Sequence, residues 1–400
     1  MTNARIFLIE LHFFKKDKLS HLFYIQEDMM EASRIKDFGT KIQRLIEGQD
    51  LSREETYWMF REVLLNRQPD LQQGAFLAAL VAKGETVEEI AGAWTAIDEL
   101  DTVHVAPDLP DALFENSGTG MDTLKTFNVS SAAAVVAAAC GVAMARHGAR
   151  AITSRCGTVD VLEAVGIDVE CDVEVVGDSI KKAGIGLFNG MSPKVHPGAL
   201  GRILSQIRFG STLNIAASLA NPCRPTLGLR GVYTEKLLHK AAEVMRLIGY
   251  ERGMVVYGKD AASGYGMDEL SVSGETGVLE FTRHSQSEYT LHPEDVGLKQ
   301  IPFDEIASLD NPADEALRFV RVLSGKKHEA CIDFTCLNAG AILYIAGKAD
   351  SLRKGVEMSR EAIENNRAIE KLRQWIMCQD ASGGKGLHCF ELLLERSGVS

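Results

Sequence analysis

No apolar run in this sequence is long enough to cross a bilayer. The longest, from Ala132 to Ala145, falls short of the roughly 20 residues a spanning helix needs. Near the N-terminus only Ile6 to Ile9 separate Arg5 from Glu10, too short for the apolar region of a secretion signal. The eight cysteines include no Cys-x-x-Cys pair, and no Cys/His spacing matches a zinc finger. Reduced thiols in a cytoplasmic protein are the expectation. Positive charge is in deficit, with 43 Lys plus Arg against 55 Asp plus Glu and a net charge of -12. That disfavours nucleic acid as a partner, because a phosphate backbone calls for a basic surface. It does not disfavour a small anionic substrate, since one pocket can be positive on an acidic protein. Internal repeats and low-complexity tracts are missing too, and 400 residues suffice for two domains.

What is present is well punctuated. Residues 1–40 mix apolar bursts with Lys15, Lys16 and Lys18 and read as an N-terminal extension of uncertain order, or as sequence upstream of a start at Met29 or Met30. Residues 41–105 are helical in pattern. Ser52 to Glu55, Asp70 to Gln73 and Thr86 to Glu89 each have the spacing of a capping box, and Gly84 predicts a helix stop. Pro107 and Pro110 mark a linker. Beyond it, strands are predicted at Met254 to Tyr257, Val278 to Thr282 and Tyr289 to His292. Helices are predicted after Asn311-Pro312 and over Gly340 to Ala346, following Asn338. Strands alternating with helices predict an α/β domain with helices on both sheet faces. Ala381 to Gly386 reads as a flexible turn before a short last helix, within a tail of residues 381–400.

Five segments have the composition of a site. Gly118-Thr119-Gly120-Met121-Asp122 is a loop whose backbone N–H groups can approach a phosphate. Thr126, Asn128, Ser130 and Ser131 precede or open an alanine-rich helix, and a helix N-terminus attracts anions. Arg146-His147-Gly148-Ala149-Arg150 is a basic turn. Thr153 to Gly166 is a polar loop, including Thr158, that opens a helix. Asp268-Glu269 is a pair of hard oxygen donors suited to Mg²⁺ shared with phosphates. Each alone is equally an ordinary turn, cap or solvated acidic loop.

Their order and spacing are more specific. Together they resemble the anthranilate phosphoribosyltransferase family over roughly Lys41 to Leu372. That family's pattern is a GTGGD loop, a TFN-I-S-T segment, a KHG-N-R turn and an S-G-x-x-D-x-L-E-x-x-G helix start. A His-Pro segment, an F-N…N-P segment, a D-E pair and a late N-A-x-x-x-L-Y helix follow. Here these read GTGMD, TFNVSS, RHGAR, CGTVDVLEAVG, His196-Pro197, Leu213-Asn214 with Asn221-Pro222, Asp268-Glu269, and Asn338-Ala339 through Leu343-Tyr344.

The resemblance implies a small all-helical domain at 41–105, with 205–225 returning to it. It implies a large α/β domain with a mostly parallel sheet at 106–204 and 226–380, and an active site in the cleft between the two. It implies Mg²⁺-dependent transfer of a phosphoribosyl group from phosphoribosyl pyrophosphate to the nitrogen of a small aromatic acceptor, by a homodimer. Gly118, Thr119, Gly120 and Asp122 would line the pyrophosphate. Thr126, Asn128, Ser130, Ser131, Arg146, His147, Gly148, Ala149 and Thr158 would complete the substrate site, and Ser130, Asp268 and Glu269 would hold the metal. No covalent catalytic residue is implied.

Three departures stand out. Met121 replaces a loop glycine, Ala149 replaces the acceptor-side Asn, and Leu204 falls at the acceptor-side Arg, with Arg202 and Arg208 nearby. The expectation drawn from the last two is an acceptor other than anthranilate. The alternatives are a true anthranilate enzyme of tryptophan biosynthesis, and a non-catalytic paralogue that binds a ligand or nucleic acid.

Overall fold

The computed structural model describes residues 29–150, 157–207 and 209–398. The first helices are α1 (residues 29–46), α2 (Arg53–Leu64), α3 (Asp70–Lys83) and α4 (Val87–Leu100). Two of the expected capping boxes form. Ser52 and Thr86 accept from the N–H of Glu55 and Glu89, whose carboxylates return to the caps' own N–H groups. The third, at Asp70, does not. Pro69 is the cap residue and Asp70 already lies in the first turn, where its charge faces the positive end of the helix dipole. Gly84, at φ +86°, ends α3. These helices close on Phe38, Phe60 and Phe76, stacked edge to face at 5.6 and 5.2 Å between ring centres.

Among the described residues eight strands form one sheet: β1 (Phe114–Gly118), β2 (Met144–Gly148), β3 (Ile185–Asn189), β4 (Leu227–Gly231), β5 (Arg252–Lys259), β6 (Gly266–Met267), β7 (Thr276–Thr282) and β8 (Gln286–Leu291). Their order is β3-β2-β1-β4-β5-β7-β8, with β6 paired to β5. The first five are parallel; β7 and β8 are antiparallel. The chain therefore winds outward in one direction from β1 and in the other from β4. The carboxyl ends of β1 and β4 flank that reversal, where an open α/β sheet leaves a crevice for ligand.

Helices α5 (Val129–Ala139), α6 (Thr158–Val165), α7 (Val173–Ala183), α8 (Leu200–Ile207), α9 (Leu213–Ala216) and α10 (Leu238–Leu247) alternate with the strands. The chain ends with α11 (Pro312–Leu323), α12 (Glu329–Ile345), α13 (Leu352–Glu364), α14 (Arg367–Cys378) and α15 (Lys385–Ser397). Asn311 caps α11 and Pro312 follows it, as predicted. Leu200, Ile203 and Leu213 of α8 and α9 bury in the same core as Phe76 and Leu80 of α3, so this segment belongs to the helical wall. Phe390, Leu393 and Leu394 of the C-terminal helix join the main α/β core. Both expected parts are present: a small helical bundle beside a larger, mostly parallel α/β unit. No helix among the described residues is long and apolar enough to cross a membrane.

Candidate active site

A cleft of about 370 Å³ opens above the carboxyl ends of β1 and β4, between the α/β unit and the helical wall. On the α/β side it is lined by Gly118, Thr119, Gly120, Asp122, Thr126, Asn128, Ser130, Arg146, His147, Gly148, Ala149, Thr158, Asp268 and Glu269. Residues more than 140 positions apart thus converge: the N–H of Gly120 donates to Asp268 Oδ2 at 2.7 Å, across 148 positions. Ser131 stands apart. It is fully buried behind the wall, and its hydroxyl accepts from Arg146 Nη1. Residues 151–156, including Thr153 to Cys156 of the fourth segment, lie outside the described residues.

The helix start is built locally. The side chain of Asn128 accepts from the Ser131 N–H at 3.4 Å and caps α5, while the Val129 N–H donates to the Phe127 carbonyl at 2.6 Å and the Asn128 N–H to Glu315 Oε1 at 3.3 Å. The hydroxyl of Ser130 donates to Glu269 Oε1. The Asp268-Glu269 turn is held from below by Asn338, which accepts from the Leu270 N–H at 3.1 Å and donates to its carbonyl at 3.0 Å. Room for Asp268 depends on glycine: a Cβ on Gly231 would lie 1.5 Å from the Asp268 carbonyl oxygen.

Three carboxyls crowd one end of the cleft. Burial, then the neighbouring Asp268, push Asp122 up to about 7. Burial and Asp268 push Glu269 up to about 8, and burial raises Asp268 itself. A divalent cation shared with substrate phosphates would relieve acids that resist ionisation beside one another; among the described residues no three such side chains close on one metal position by themselves. Lys125 offsets part of this charge through a 2.7 Å ion pair to Asp122. Near Glu269, burial lowers Arg146 to about 10 against the pull of Glu269 and Glu115. His147 is pushed down to about 3 by burial and by His196, whose Nε2 lies 3.2 Å from its own. One of these facing nitrogens must donate and the other accept, so His147 serves as a neutral hydrogen-bonding group.

The departures have clear positions. Met121 adopts φ +67°, the conformation its glycine counterpart would take freely, and its thioether lies over Gly210 on the helical wall. Ala149 and Leu204 both line the cleft. Arg202 turns away and donates to Gln73 Oε1 and the Val63 carbonyl; Arg208 lies outside the described residues. Arg150, Asn214 and Ser218 also face the cleft. Sequence reasoning missed several supports. The carboxylate of Asp101 accepts from the N–H groups of Ala199 and Leu200 and holds the start of α8. Asn116 donates to the Ser130 carbonyl at 2.7 Å. Arg230 is buried beneath the cleft; its one signal was a lone charge inside the apolar and glycine strand LGLRG.

A crevice at a strand-order reversal, bordered by a glycine loop and a helix N-terminus, is where an open α/β sheet takes a phosphorylated ligand. Two family models match in agreement: "Glycosyl transferase family, helical bundle domain" over residues 40–100 and "Glycosyl transferase family, a/b domain" over residues 111–369. The anthranilate phosphoribosyltransferase of Desulfotalea psychrophila is 36% identical over 340 residues, covering 84% of this chain and 95% of that protein. A crystal structure of the Thermus thermophilus enzyme of the same name is 33% identical with a TM-score of 0.76, covering 84% of this chain and 98% of that one. The Saccharomyces cerevisiae enzyme, solved with phosphoribosyl pyrophosphate and Mg, is 24% identical with a TM-score of 0.75, covering 86% and 98%; at that identity it speaks for the fold. The chain belongs to the anthranilate phosphoribosyltransferase family.

Proposed function

We propose that this enzyme transfers the 5-phosphoribosyl group of phosphoribosyl pyrophosphate to the amino nitrogen of anthranilate, releasing pyrophosphate, as a step of tryptophan biosynthesis. The expectation of a different acceptor is withdrawn. Relatives 33–37% identical over 83–86% of this chain are named for anthranilate. The physical reason is that a carboxylate is recognised by every donor around it. Replacing Asn and Arg by Ala149 and Leu204 leaves the Asn214 amide in the same wall, its oxygen accepting from the Ser211 N–H, while Arg150 is paired with Glu163 and Asp160.

The observation that carries the reading is the carboxyl cluster of Asp122, Asp268 and Glu269, linked to the glycine loop through the Gly120 N–H. In the transfer the bond from the sugar C1 to pyrophosphate breaks, a bond from C1 to nitrogen forms, and the amine proton leaves to solvent. Pyrophosphate departs with high charge, so positioning and charge neutralisation do most of the work. We assign the loop Gly118, Thr119 and Gly120 to the pyrophosphate, which its small residues let approach closely; the Thr119 N–H goes to the Gly231 carbonyl and the Gly120 N–H to Asp268. Asn128, Ser130 and the N-terminus of α5 hold phosphate oxygens, and Arg146 supplies positive charge from behind them. Asp122, Asp268, Glu269 and the Ser130 hydroxyl are the hard oxygen donors that would hold Mg²⁺, which when bound neutralises the leaving pyrophosphate. His147, Gly148 and Ala149 border the acceptor, and Thr158 supports that turn.

The same reading includes a cytoplasmic homodimer, for which sedimentation at micromolar concentration is the test. A net charge of -12 supports leaving nucleic acid out, and a gel shift at stated salt tests that. For the reaction itself, the full chain is mixed with phosphoribosyl pyrophosphate and anthranilate, and pyrophosphate is followed with Mg²⁺ and with EDTA in excess. Release only in the Mg²⁺ arm is expected. Equal release in both, or none in either, contradicts the reading.

A further inference from the structure

Arg230 is a buried cation beneath the cleft to which the transfer reading gives no task. It lies on β4, in register with Ser117 on β1, and is 2% exposed. Its Nη1 donates to Ser117 Oγ at 2.6 Å and its Nη2 to Ser218 Oγ, while Nε has no partner. Both terminal nitrogens thus go to hydroxyls rather than to carboxylates. The acids that act on it from nearby are Glu115 and Asp268, and Glu115 Oε2 is taken by the Tyr250 hydroxyl at 2.6 Å. A guanidinium taken out of water and given only neutral partners is costly to keep, unless its charge is used.

The two hydroxyls it holds both line the cleft, and they come from different parts of the fold. Ser117 begins the glycine loop. Ser218 follows α9, which buries with the helical core. Ser218 has already committed its hydrogen, donating to the carbonyls of Asn214 at 2.6 Å and Ile215 at 2.9 Å. Ser117 differs. Its oxygen accepts from Arg230, and among the described residues its O–H donates to no protein acceptor. That hydrogen is left for the cleft, and a hydroxyl that accepts from a cation is a better donor than a free one.

We propose that Arg230 is a positioning residue that makes the Ser117 hydroxyl an oxyanion-binding donor of the cleft, with Ser218 steadying the guanidinium from the helical side. Which oxyanion it meets rests on the transfer reading: a phosphate oxygen of the donor or the carboxylate of anthranilate. Both present the same chemistry to a polarised O–H, and the substrates can be varied separately.

The test uses the full chain with Ser117→Ala, Arg230→Leu and Arg230→Lys. KM for each substrate and kcat are measured, together with calorimetric titration of inorganic pyrophosphate and of anthranilate. Ser117→Ala is expected to weaken one of the two ligands about tenfold, the effect of one charge-assisted hydrogen bond, with kcat changed less. Arg230→Leu should weaken the same ligand at least as much, and Arg230→Lys should recover part of the loss. A merely structural Arg230 would lower thermal stability without selecting a ligand. Pyrophosphate affinity lost marks the donor as the source of the oxyanion; anthranilate affinity lost marks the acceptor. Ser117→Ala leaving both ligands within about twofold overturns the proposal, as does Arg230→Leu weakening a different ligand or none. If Arg230→Leu does not fold, Ser117→Ala and Arg230→Lys decide. If the wild-type chain shows no turnover, the transfer reading fails, while the two titrations still decide the role of the hydroxyl.

Discussion

Gly118 and Asp268 occupy almost the same space: a Cβ built on Gly118 would lie 2.0 Å from Asp268 Oδ2. The oxygen it would strike is the one that accepts from the Gly120 N–H. Glycine at 118 is therefore required by the acid across the cleft, beyond any need of the loop itself. Gly118→Ala should push Asp268 off the loop and lower kcat/KM by about 10²-fold or more, the usual consequence of a displacement near 1 Å at a reacting centre. Steady-state kinetics check this, with circular dichroism to show that the variant folds.

Glu269 illustrates a trade between function and stability. Its carboxyl is raised to about 8 in the fold, from an ordinary value of 4.5, by burial and by Asp268. A raised folded value means the native state holds the proton more tightly than the unfolded chain. Ionising the group then costs stability, from nothing below about pH 4 to its full amount above pH 8. Glu269→Gln should stabilise the free protein by on the order of 1–3 kcal/mol at pH 8 and by little at pH 5, while abolishing turnover. Denaturant titrations at the two pH values check it. Equal stability of variant and wild type at pH 8 would count against the crowded-acid account.

The pair His147 and His196 predicts acid sensitivity. Burial and the facing ring hold His147 near 3, well below its ordinary 6.5, and burial lowers His196 as well. Here the unfolded chain binds more protons than the native one. The stability at stake is fully present above pH 6.5 and is lost as pH falls toward 3, by up to about 1.4 kcal/mol per pH unit for each histidine. His147→Gln should flatten that slope in thermal melts between pH 6.5 and 4.5.

Helices α12 and α13 cross at their backbones. A Cβ on Gly355 would lie 2.3 Å from the Gly340 carbonyl oxygen, and one on Gly340 would lie 2.6 Å from the Val356 nitrogen. Backbone cannot swing aside as a long side chain can. Gly340→Ala or Gly355→Ala should destabilise by about 1–3 kcal/mol with KM unchanged, since neither residue lines the cleft. Chemical denaturation reads the loss.

What could be read in the sequence was what short spacing encodes. The capping boxes at Ser52 and Thr86, the helix start after Asn311, the glycine loop and the Asp268-Glu269 pair all lie within a few residues of themselves. Asp70 misled because a proline before it took the cap position. Arg230, Asp101 and the meeting of His147 with His196 were hidden because each is made by strands or loops far apart in the chain; Ser117 and Arg230 are 113 positions apart. The acceptor was misjudged for a related reason. Two missing side chains can be seen in a linear pattern, whereas the place of the Asn214 amide in the same wall is visible only once the wall is assembled.

The central claim is the acceptor. Steady-state turnover of anthranilate at saturating phosphoribosyl pyrophosphate and Mg²⁺ tests it most directly, with the phosphoribosylated amine identified by mass. The account predicts that product and a kcat/KM of about 10⁴ M⁻¹s⁻¹ or above, the range of an ordinary metabolic enzyme. Pyrophosphate release without that product, or an efficiency for anthranilate orders of magnitude lower, would contradict it.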